Sequence, residues 1–235
     1  YDYCTANDIG LERIISVREK FSSQYLKDLN RFSETGKYPH QFPDMNFALD
    51  RLEYDIILLS SFLLERPRFL IADWLAAQQY AGKTVAIGIG PGLELAILIE
   101  YLSSDIDIEA YDLEINPYIS KRFGTAVKIR KFEVTDAKYD NILLIELLEH
   151  ISRPEKFLSN IRHSLSDKGR LFLTTAVDFP QFDHLYNFVP GEIQSLLFEC
   201  GMECNYFQSV EYTFLKNNVE TKTELVIAQK KEGAQ

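Results

Sequence analysis

Three glycines at alternate positions form the segment of the sequence with the clearest chemical meaning. Gly88, Gly90 and Gly92 lie between the apolar run 84–88 and an apolar stretch of helical character. Glycines at such a turn let the backbone approach a ligand closely, and the N-terminus of the next helix offers free N–H donors. The G-x-G-x-G spacing differs from the G-x-G-x-x-G of nicotinamide dinucleotide binders. The turn therefore predicts a nucleotide-like ligand other than NAD, with a ligand-free tight turn as the alternative.

Acidic side chains follow the next strand-like run, residues 106–112. Asp112 ends this run, and Glu114 comes two residues later in the segment Glu114-Ile-Asn-Pro117. A carboxylate at this end of a parallel strand can accept hydrogen bonds from both hydroxyls of a ribose. We predict Glu114 for this role and keep Asp112 in reserve. The alternative is that both are solvated loop acids.

The elements that must position these residues alternate between strand and helix. Short β-rich runs separated by helical segments predict parallel strands joined by right-handed helical crossovers. Two further runs near the C-terminus, joined by Asn217-Asn218, predict an antiparallel hairpin. The predicted runs are 84–88, 106–112, 127–134, 142–145, 170–175, 204–214 and 222–229.

Residues 1–82 carry apolar side chains at helical spacing, such as Ile14, Val17 and Phe21. Pro67 interrupts the second helical segment and can open a third, which we predict to run to Gly82. We therefore predict an N-terminal helical cap over residues 1–82, followed by a ligand-binding domain over 83–235. The alternatives for the cap are simple packing outside the sheet and a homodimer surface.

Composition excludes several classes of protein. The chain has 235 residues with 25 Lys+Arg against 35 Asp+Glu, a net charge of −10, which disfavours a nucleic-acid partner held by phosphate attraction. No apolar stretch approaches the roughly 20 residues that a membrane-spanning helix needs. The three cysteines are too few for a disulfide framework, which predicts a reducing, cytoplasmic location. The four histidines show no paired metal spacing, so we predict no metal site.

Several motifs together resemble the class I S-adenosylmethionine-dependent methyltransferases, and in particular the small-molecule branch that includes quinone-biosynthesis enzymes. The resemblance rests on the glycine turn, on Glu114-Ile-Asn-Pro117 and on the run from Asp140 to His150, which ends Glu146-Leu-Leu-Glu149-His150. It covers about residues 83 to 230. It implies an α/β, Rossmann-like fold with a seven-stranded mixed sheet, the last strand antiparallel, flanked by helices.

The resemblance also implies that S-adenosylmethionine binds across the carboxyl ends of the strands. For the adenine side of the cofactor it suggests Asp136, with Glu133 as the alternative. The family usually has an acid two residues before the first glycine, where it helps to hold the methionine amino group, and this chain has Ala86 there. The implied cofactor-binding residues are Gly88, Gly90, Gly92, Asp112, Glu114, Asp136 and Glu146.

Two histidines are candidates for chemistry at the acceptor. Methyl transfer mainly requires alignment of a nucleophile with the methyl–sulfur bond and exclusion of water. A hydroxyl acceptor benefits from a base, and His150, just beyond the fourth strand, is the candidate because imidazole titrates near neutrality. His184 lies in an aromatic-rich loop and is the second candidate. The alternatives are a packing or capping role for His150 and a lid role for His184.

We therefore expect an S-adenosylmethionine-dependent methyltransferase acting on a small, partly apolar metabolite, with oxygen as the first choice of acceptor. One alternative keeps the cofactor but transfers a different group or catalyses a rearrangement, since a fold specifies its chemistry poorly. Another is a non-catalytic cofactor-binding scaffold or regulator. A third, methylation of a protein side chain, predicts an open groove instead of an aromatic-lined pocket.

Overall fold

Seven strands form one sheet with helices on both faces. The computed structural model describes residues 2–41, 43–101, 106–132, 136–214 and 219–231. The strands are β1 (Thr84–Ile87), β2 (Ile108–Asp112), β3 (Val127–Lys131), β4 (Tyr139–Ile145), β5 (Leu165–Val177), β6 (Met202–Phe214) and β7 (Val219–Lys230). The helices are α1 (Asp2–Ala6), α2 (Leu11–Thr35), α3 (Arg51–Leu64), α4 (Arg66–Ala76), α5 (Leu93–Tyr101), α6 (Pro117–Phe123), α7 (Pro154–Ser164) and α8 (Glu192–Glu199).

The strand order is β3-β2-β1-β4-β5-β7-β6, with β1 to β5 parallel and β7 antiparallel to both of its neighbours. This confirms the predicted seven-stranded mixed sheet. The predicted Asn217-Asn218 turn of the terminal hairpin lies outside the described residues. Strand β1 has β2 on one side and β4 on the other, so the connections leave it in opposite directions. Ligands of open α/β sheets bind in the crevice that such a reversal creates at the carboxyl ends of the strands.

The N-terminal segment differs from its prediction in two details. A short helix, α1, precedes the three predicted helices, and α4 ends at Ala76 rather than at Gly82. The earlier end has a physical reason, because residues 77–83 must turn the chain into β1. Within this turn Gly82 has φ 77°, and the Lys83 amide donates to Asp140 Oδ2 over 2.9 Å. None of the helices in the described ranges is long and apolar enough to cross a bilayer.

Two hydrophobic layers cover the sheet. One layer combines residues of the N-terminal helices, such as Val17, Ile56 and Leu75, with Ala86 and Leu143 of the sheet. The other layer packs α7 and α8 on the opposite face of the sheet. The helices before residue 82 therefore share a core with the sheet, and burial of this apolar surface holds them over the strand ends.

A chain of polar contacts also ties the N-terminal helices to the sheet. The Tyr3 hydroxyl donates to Asp55, which is fully buried. Asp55 Oδ1 accepts from Arg51 Nε over 3.0 Å, and Arg51 Nη1 lies 3.4 Å from Asp112 Oδ1 at the end of β2. These contacts link α1 and α3 to β2, the strand whose end carries the predicted ribose acids.

We predict that Asp55→Ala lowers the free energy of unfolding by about 3 kcal/mol, because it leaves Arg51 without its closest buried counter-charge. The matched change Tyr3→Phe keeps the Arg51–Asp55 pair and should cost only about 1 kcal/mol. Urea denaturation of both variants measures the two losses. Equal losses would contradict a structural role for the ion pair.

Candidate active site

The glycine turn between β1 and α5 requires glycine for backbone reasons. Gly88, Gly90 and Gly92 have φ of 77°, 47° and 83°, in the left-handed region that other residues rarely adopt. A Cβ at Gly88 would lie 2.8 Å from Leu147 Cδ1, and one at Gly92 would lie 2.9 Å from Phe123 Cε2. The first two glycines line a cavity, whereas Gly92 is buried between α5 and α6 and does not line it. Gly88 and Gly90 therefore form part of the cavity wall, whereas Gly92 is needed for close packing against α6.

This first cavity has a volume of about 510 Å³ and lies at the carboxyl ends of β1, β2 and β4. Helices α3 and α4 of the N-terminal segment supply the facing wall, including Arg51, Leu58 and Arg68. Such a volume is within the range of small-molecule and cofactor sites. The crevice expected from the sheet topology is therefore present and is covered by the N-terminal helices.

The structure places the two predicted ribose acids differently relative to this cavity. Asp112 lines the cavity, and its Oδ2 accepts from the Gly90 amide over 2.9 Å. Glu114 is exposed and lies outside the cavity lining, although its amide donates to Asp112 Oδ1 over 3.2 Å. The reason is local, because the chain has left the strand end at residue 114 and points the longer side chain to solvent.

The predicted adenine-side acid is also outside this cavity. Asp136 is exposed and does not line it, and Glu133 lies outside the described residues. Instead, Leu113 and Phe132, which directly follow β2 and β3, present apolar surface to the cavity. Neither residue is singled out by its type or spacing in the sequence, although the place of Leu113 directly after the predicted run 106–112 is a usable signal.

Glu146 lines the cavity at the end of β4 and is held in an unusual conformation. Its φ is 48°, and its amide donates to the carbonyl and hydroxyl oxygens of Thr174 over 3.1 and 3.0 Å. Its Oε1 is buried and has no hydrogen-bond partner among the residues that the structure describes. Burial, together with the nearby Glu149 carboxylate, raises the pKa of Glu146 to about 7. Near neutral pH, the Glu146 side chain can therefore meet a ligand either as a carboxylic acid or as a carboxylate.

His150 and His184 lie together at the inner end of the site. Their rings are 5.1 Å apart in an edge-to-face arrangement, and each Nδ1 meets a backbone carbonyl. His150 Nδ1 is 3.1 Å from the Asp183 carbonyl oxygen, and His184 Nδ1 is 2.8 Å from that of Phe179. A carbonyl accepts only from a protonated nitrogen, so in the neutral rings Nε2 carries the lone pair. The structure thus brings together the two histidines that are 34 residues apart in sequence.

Two acids that the sequence did not mark as site residues, Glu149 and Asp183, lie beside these histidines. Asp183 Oδ2 is 3.6 Å from His150 Nδ1, and Glu149 Oε2 accepts from Thr175 Oγ1 over 2.9 Å. Both acids directly precede a candidate histidine, which was the available signal. Glu149, His150 and His184 each offer one potential metal-ligand atom within 4.8 Å of the others. The predicted lack of a metal site stays a prediction.

The charges of these groups set the titration of the two rings in opposite directions. Burial alone would lower the pKa of His150, but the Asp183 and Glu149 carboxylates outweigh it and raise the pKa above its usual value. Burial dominates at His184 and lowers its pKa to about 4. At neutral pH, His184 is therefore an uncharged hydrogen-bonding group, whereas His150 keeps its proton to a higher pH than an ordinary histidine does.

A second cavity of about 370 Å³ adjoins the first. It lies between α2, α3 and α4 and the loop after β5, and it shares Tyr54, Leu58, Arg68, Glu146 and His150 with the first cavity. Aromatic residues of the helices meet those of the loop. Tyr25 stacks on Phe179 at 5.2 Å, and Phe21 meets Phe182 edge-on at 6.1 Å.

Phe21, Tyr25, Tyr54 and Phe179 line this second cavity. Phe188 is instead fully buried in the core.

The chain matches a family model described as "Methyltransferase domain" over residues 61–213, about two thirds of its length. The chain belongs to this methyltransferase family. The match identifies it as an enzyme that uses S-adenosylmethionine. A search of curated proteins finds no significant match.

Solved structures share the fold at low sequence identity. The mitomycin 7-O-methyltransferase MmcR is 13% identical with a TM-score of 0.62, and the match covers 93% of this chain and 70% of that one. The Burkholderia thailandensis 1,6-didemethyltoxoflavin-N1-methyltransferase, solved with bound 1,6-didemethyltoxoflavin and S-adenosylhomocysteine, is 20% identical with a TM-score of 0.53. The match covers 83% of this chain and 100% of that one. The 4+2 cyclase SpnF is 14% identical with a TM-score of 0.57, covering 70% and 81%.

The free energy of unfolding should depend on pH through His184. Its pKa is about 4 in the folded chain and about 6.5 when unfolded, so protons favour the unfolded chain between these values. The resulting stability is fully present above pH 6.5 and is lost, by about 3 kcal/mol, as pH falls towards 4.

Urea denaturation of wild type and His184→Gln at pH 7 and pH 4.5 measures this effect. The stability of the variant relative to wild type should rise at the lower pH, because glutamine does not titrate. The exposed His163→Gln is the control and should leave the pH dependence unchanged. A difference between wild type and His184→Gln that is equal at both pH values would contradict the assignment.

Proposed function

We propose that this methyltransferase transfers the methyl group to a hydroxyl oxygen of a small, partly apolar metabolite, with His150 as the general base. The observation that carries the proposal is the position of His150 on the wall shared by the two cavities, with Asp183 against its Nδ1 side. When bound, S-adenosylmethionine supplies an electrophilic methyl group on its sulfonium.

The residues of the first cavity fit this cofactor. Gly88 and Gly90 line this cavity without a side chain, which favours close approach of a ligand to the backbone. Asp112 would accept hydrogen bonds from the ribose hydroxyls, because carboxylate oxygens can take further donors beside the Gly90 amide. Leu113 and Phe132 offer the apolar surface for the base. Glu146 would contact the cofactor at the end nearest His150.

His150 is suited to removing a proton from the acceptor. Its Nδ1 faces the Asp183 carbonyl and carboxylate, which leaves Nε2 to take the proton from a hydroxyl group. The carboxylate then stabilises the positive ring that forms. The second cavity, whose lining includes Phe21, Tyr25 and Phe179, favours a substrate with apolar or planar parts. His184, uncharged at neutral pH, acts as a polar contact rather than as a second base.

A second candidate function keeps the cofactor and catalyses a rearrangement instead. Ala86, where the family usually has an acid, and the structural similarity to the cyclase SpnF favour it. The two candidates differ in one product, because only methyl transfer converts S-adenosylmethionine into S-adenosylhomocysteine.

Calorimetry with both nucleosides, followed by turnover on a panel of small phenols, tests the proposal. We expect binding of both nucleosides and formation of S-adenosylhomocysteine in step with a methylated phenol. Substrate conversion without S-adenosylhomocysteine would favour the rearrangement, and binding without any turnover would favour the scaffold alternative. Absence of binding to either nucleoside would overturn the proposal.

We further propose a cytoplasmic location, supported by three free cysteines, Cys4, Cys200 and Cys204. A homodimer and the lack of a nucleic-acid partner stay predictions.

We predict that His150→Gln lowers kcat by about 10²- to 10⁴-fold, the usual contribution of a general base, with little change in cofactor affinity. Steady-state kinetics with calorimetry separates the two quantities, and His163→Gln is the matched control on an exposed histidine. An unchanged kcat in His150→Gln would mean that His150 is not the base.

The pH profile should report the surroundings of His150, which faces Glu146, Glu149, Asp183 and His184. A base works only when neutral, so kcat/KM should rise with pH through the raised pKa of His150 and then level off. In Asp183→Asn the main cause of this elevation is removed, so the rise should move to lower pH while the plateau falls. Asp167→Asn, at a fully exposed acid, is the control. A rise that does not move in Asp183→Asn would contradict the pairing.

A further inference from the structure

Two side chains of opposite charge, Glu94 and Arg68, lie on the wall of the first cavity. Glu94 lies in the first turn of α5, and Arg68 lies on α4. Both line the cavity, and within the described ranges neither forms a hydrogen bond or an ion pair with another side chain. Charged groups that are partly withdrawn from water are costly unless something compensates them. The two side chains therefore define a place for a ligand that carries both a positive and a negative group.

An α-amino acid is such a ligand, because its ammonium and carboxylate groups are attached to one carbon. We propose that Glu94 and Arg68 bind the amino-acid end of S-adenosylmethionine. Glu94 accepts hydrogen bonds from the α-ammonium group, and Arg68 donates to the α-carboxylate. This inference rests on the proposed cofactor site and adds the residues that recognise its charged end.

The position of Glu94 supports this assignment. It comes two residues after Gly92, on the helix that begins at the glycine turn, and it shares the cavity with Gly88 and Gly90. Strand β1 itself contains no acidic residue. Ala86 is buried, and it pairs with Ala110 of β2 and Leu143 of β4. The carboxylate that β1 lacks is thus present on the next element of the chain.

Arg68 is placed to complete the pair. It lies on the wall that the two cavities share, together with Glu146 and His150. Asp112, the residue proposed for the sugar, accepts instead from the Gly90 amide of the glycine turn. Negative charges of Glu146, Glu94, Glu65 and Glu149 surround Arg68 and keep it positively charged. It remains a cation that can donate two parallel hydrogen bonds to a carboxylate.

Glu146 is the rival partner for the ammonium group. Its buried Oε1 accepts no hydrogen bond from the described part of the chain, and Glu146 lies with His150 on the wall shared by both cavities. Glu94 lines only the first cavity, where the cofactor is proposed to bind, and it is therefore the better placed of the two acids. Substitutions of both acids, Glu94→Gln and Glu146→Gln, are needed to distinguish them.

The first test compares two thioether nucleosides that differ in the amino-acid end. S-adenosylhomocysteine has this end, and 5′-methylthioadenosine lacks it. In Glu94→Gln, calorimetry should show a roughly 10- to 100-fold loss of affinity for S-adenosylhomocysteine, as expected for a lost charge-assisted hydrogen bond. Affinity for 5′-methylthioadenosine should stay within about twofold. Glu100→Gln, at an exposed acid of the same helix, is the matched control.

The second test concerns the carboxylate. Wild type should bind S-adenosylmethionine more tightly than its decarboxylated form, and Arg68→Gln should remove most of that preference. Arg66→Gln, at an exposed arginine of the same helix, should keep it.

The outcomes separate this inference from the proposed function. If wild type binds neither S-adenosylmethionine nor S-adenosylhomocysteine, both fail. If wild type binds S-adenosylhomocysteine but Glu94→Gln loses no affinity, or loses it equally for both thioethers, the inference fails and the cofactor site stands. A selective loss in Glu146→Gln with none in Glu94→Gln would likewise overturn the assignment in favour of Glu146.

Discussion

The carboxylate of Asp112 is the contact on which the candidate site depends. One oxygen accepts from the Gly90 amide, and the other accepts from the Glu114 amide and lies near Arg51. A single side chain therefore joins the glycine turn, the loop after β2 and helix α3 of the N-terminal segment. Because charged hydrogen bonds are stronger than neutral ones, this junction holds the wall of the first cavity in place before any ligand arrives.

The second general feature is a crowding of negative charge around the cavities. Like charges disfavour one another's ionised forms, which contributes to the raised pKa of Glu146, and they favour a protonated imidazole, which raises the pKa of His150. The same negative charge thus raises the pKa of an acid, Glu146, and of a base, His150, on one cavity wall. A cavity of this character is complementary to a ligand that carries a positive sulfonium and an ammonium group.

The N-terminal helices are part of the site rather than an addition to it. Helices α3 and α4 close the first cavity, and α2 completes the second. They share a hydrophobic core with the sheet and are linked to it through Asp55 and Arg51. The substrate environment of this family member therefore depends strongly on the segment of the chain that precedes β1.

The sequence alone determined the α/β sheet, the position of the glycine turn and the family, because alternating elements and short motifs are local properties of the chain. It also singled out His150 and His184 but not their neighbours. Tertiary structure decided that Asp112 rather than Glu114 lines the cavity, and that Asp183, Glu94 and Arg68 lie at the site. Side-chain direction at a strand end and contacts between distant helices depend on packing, which residue spacing does not encode.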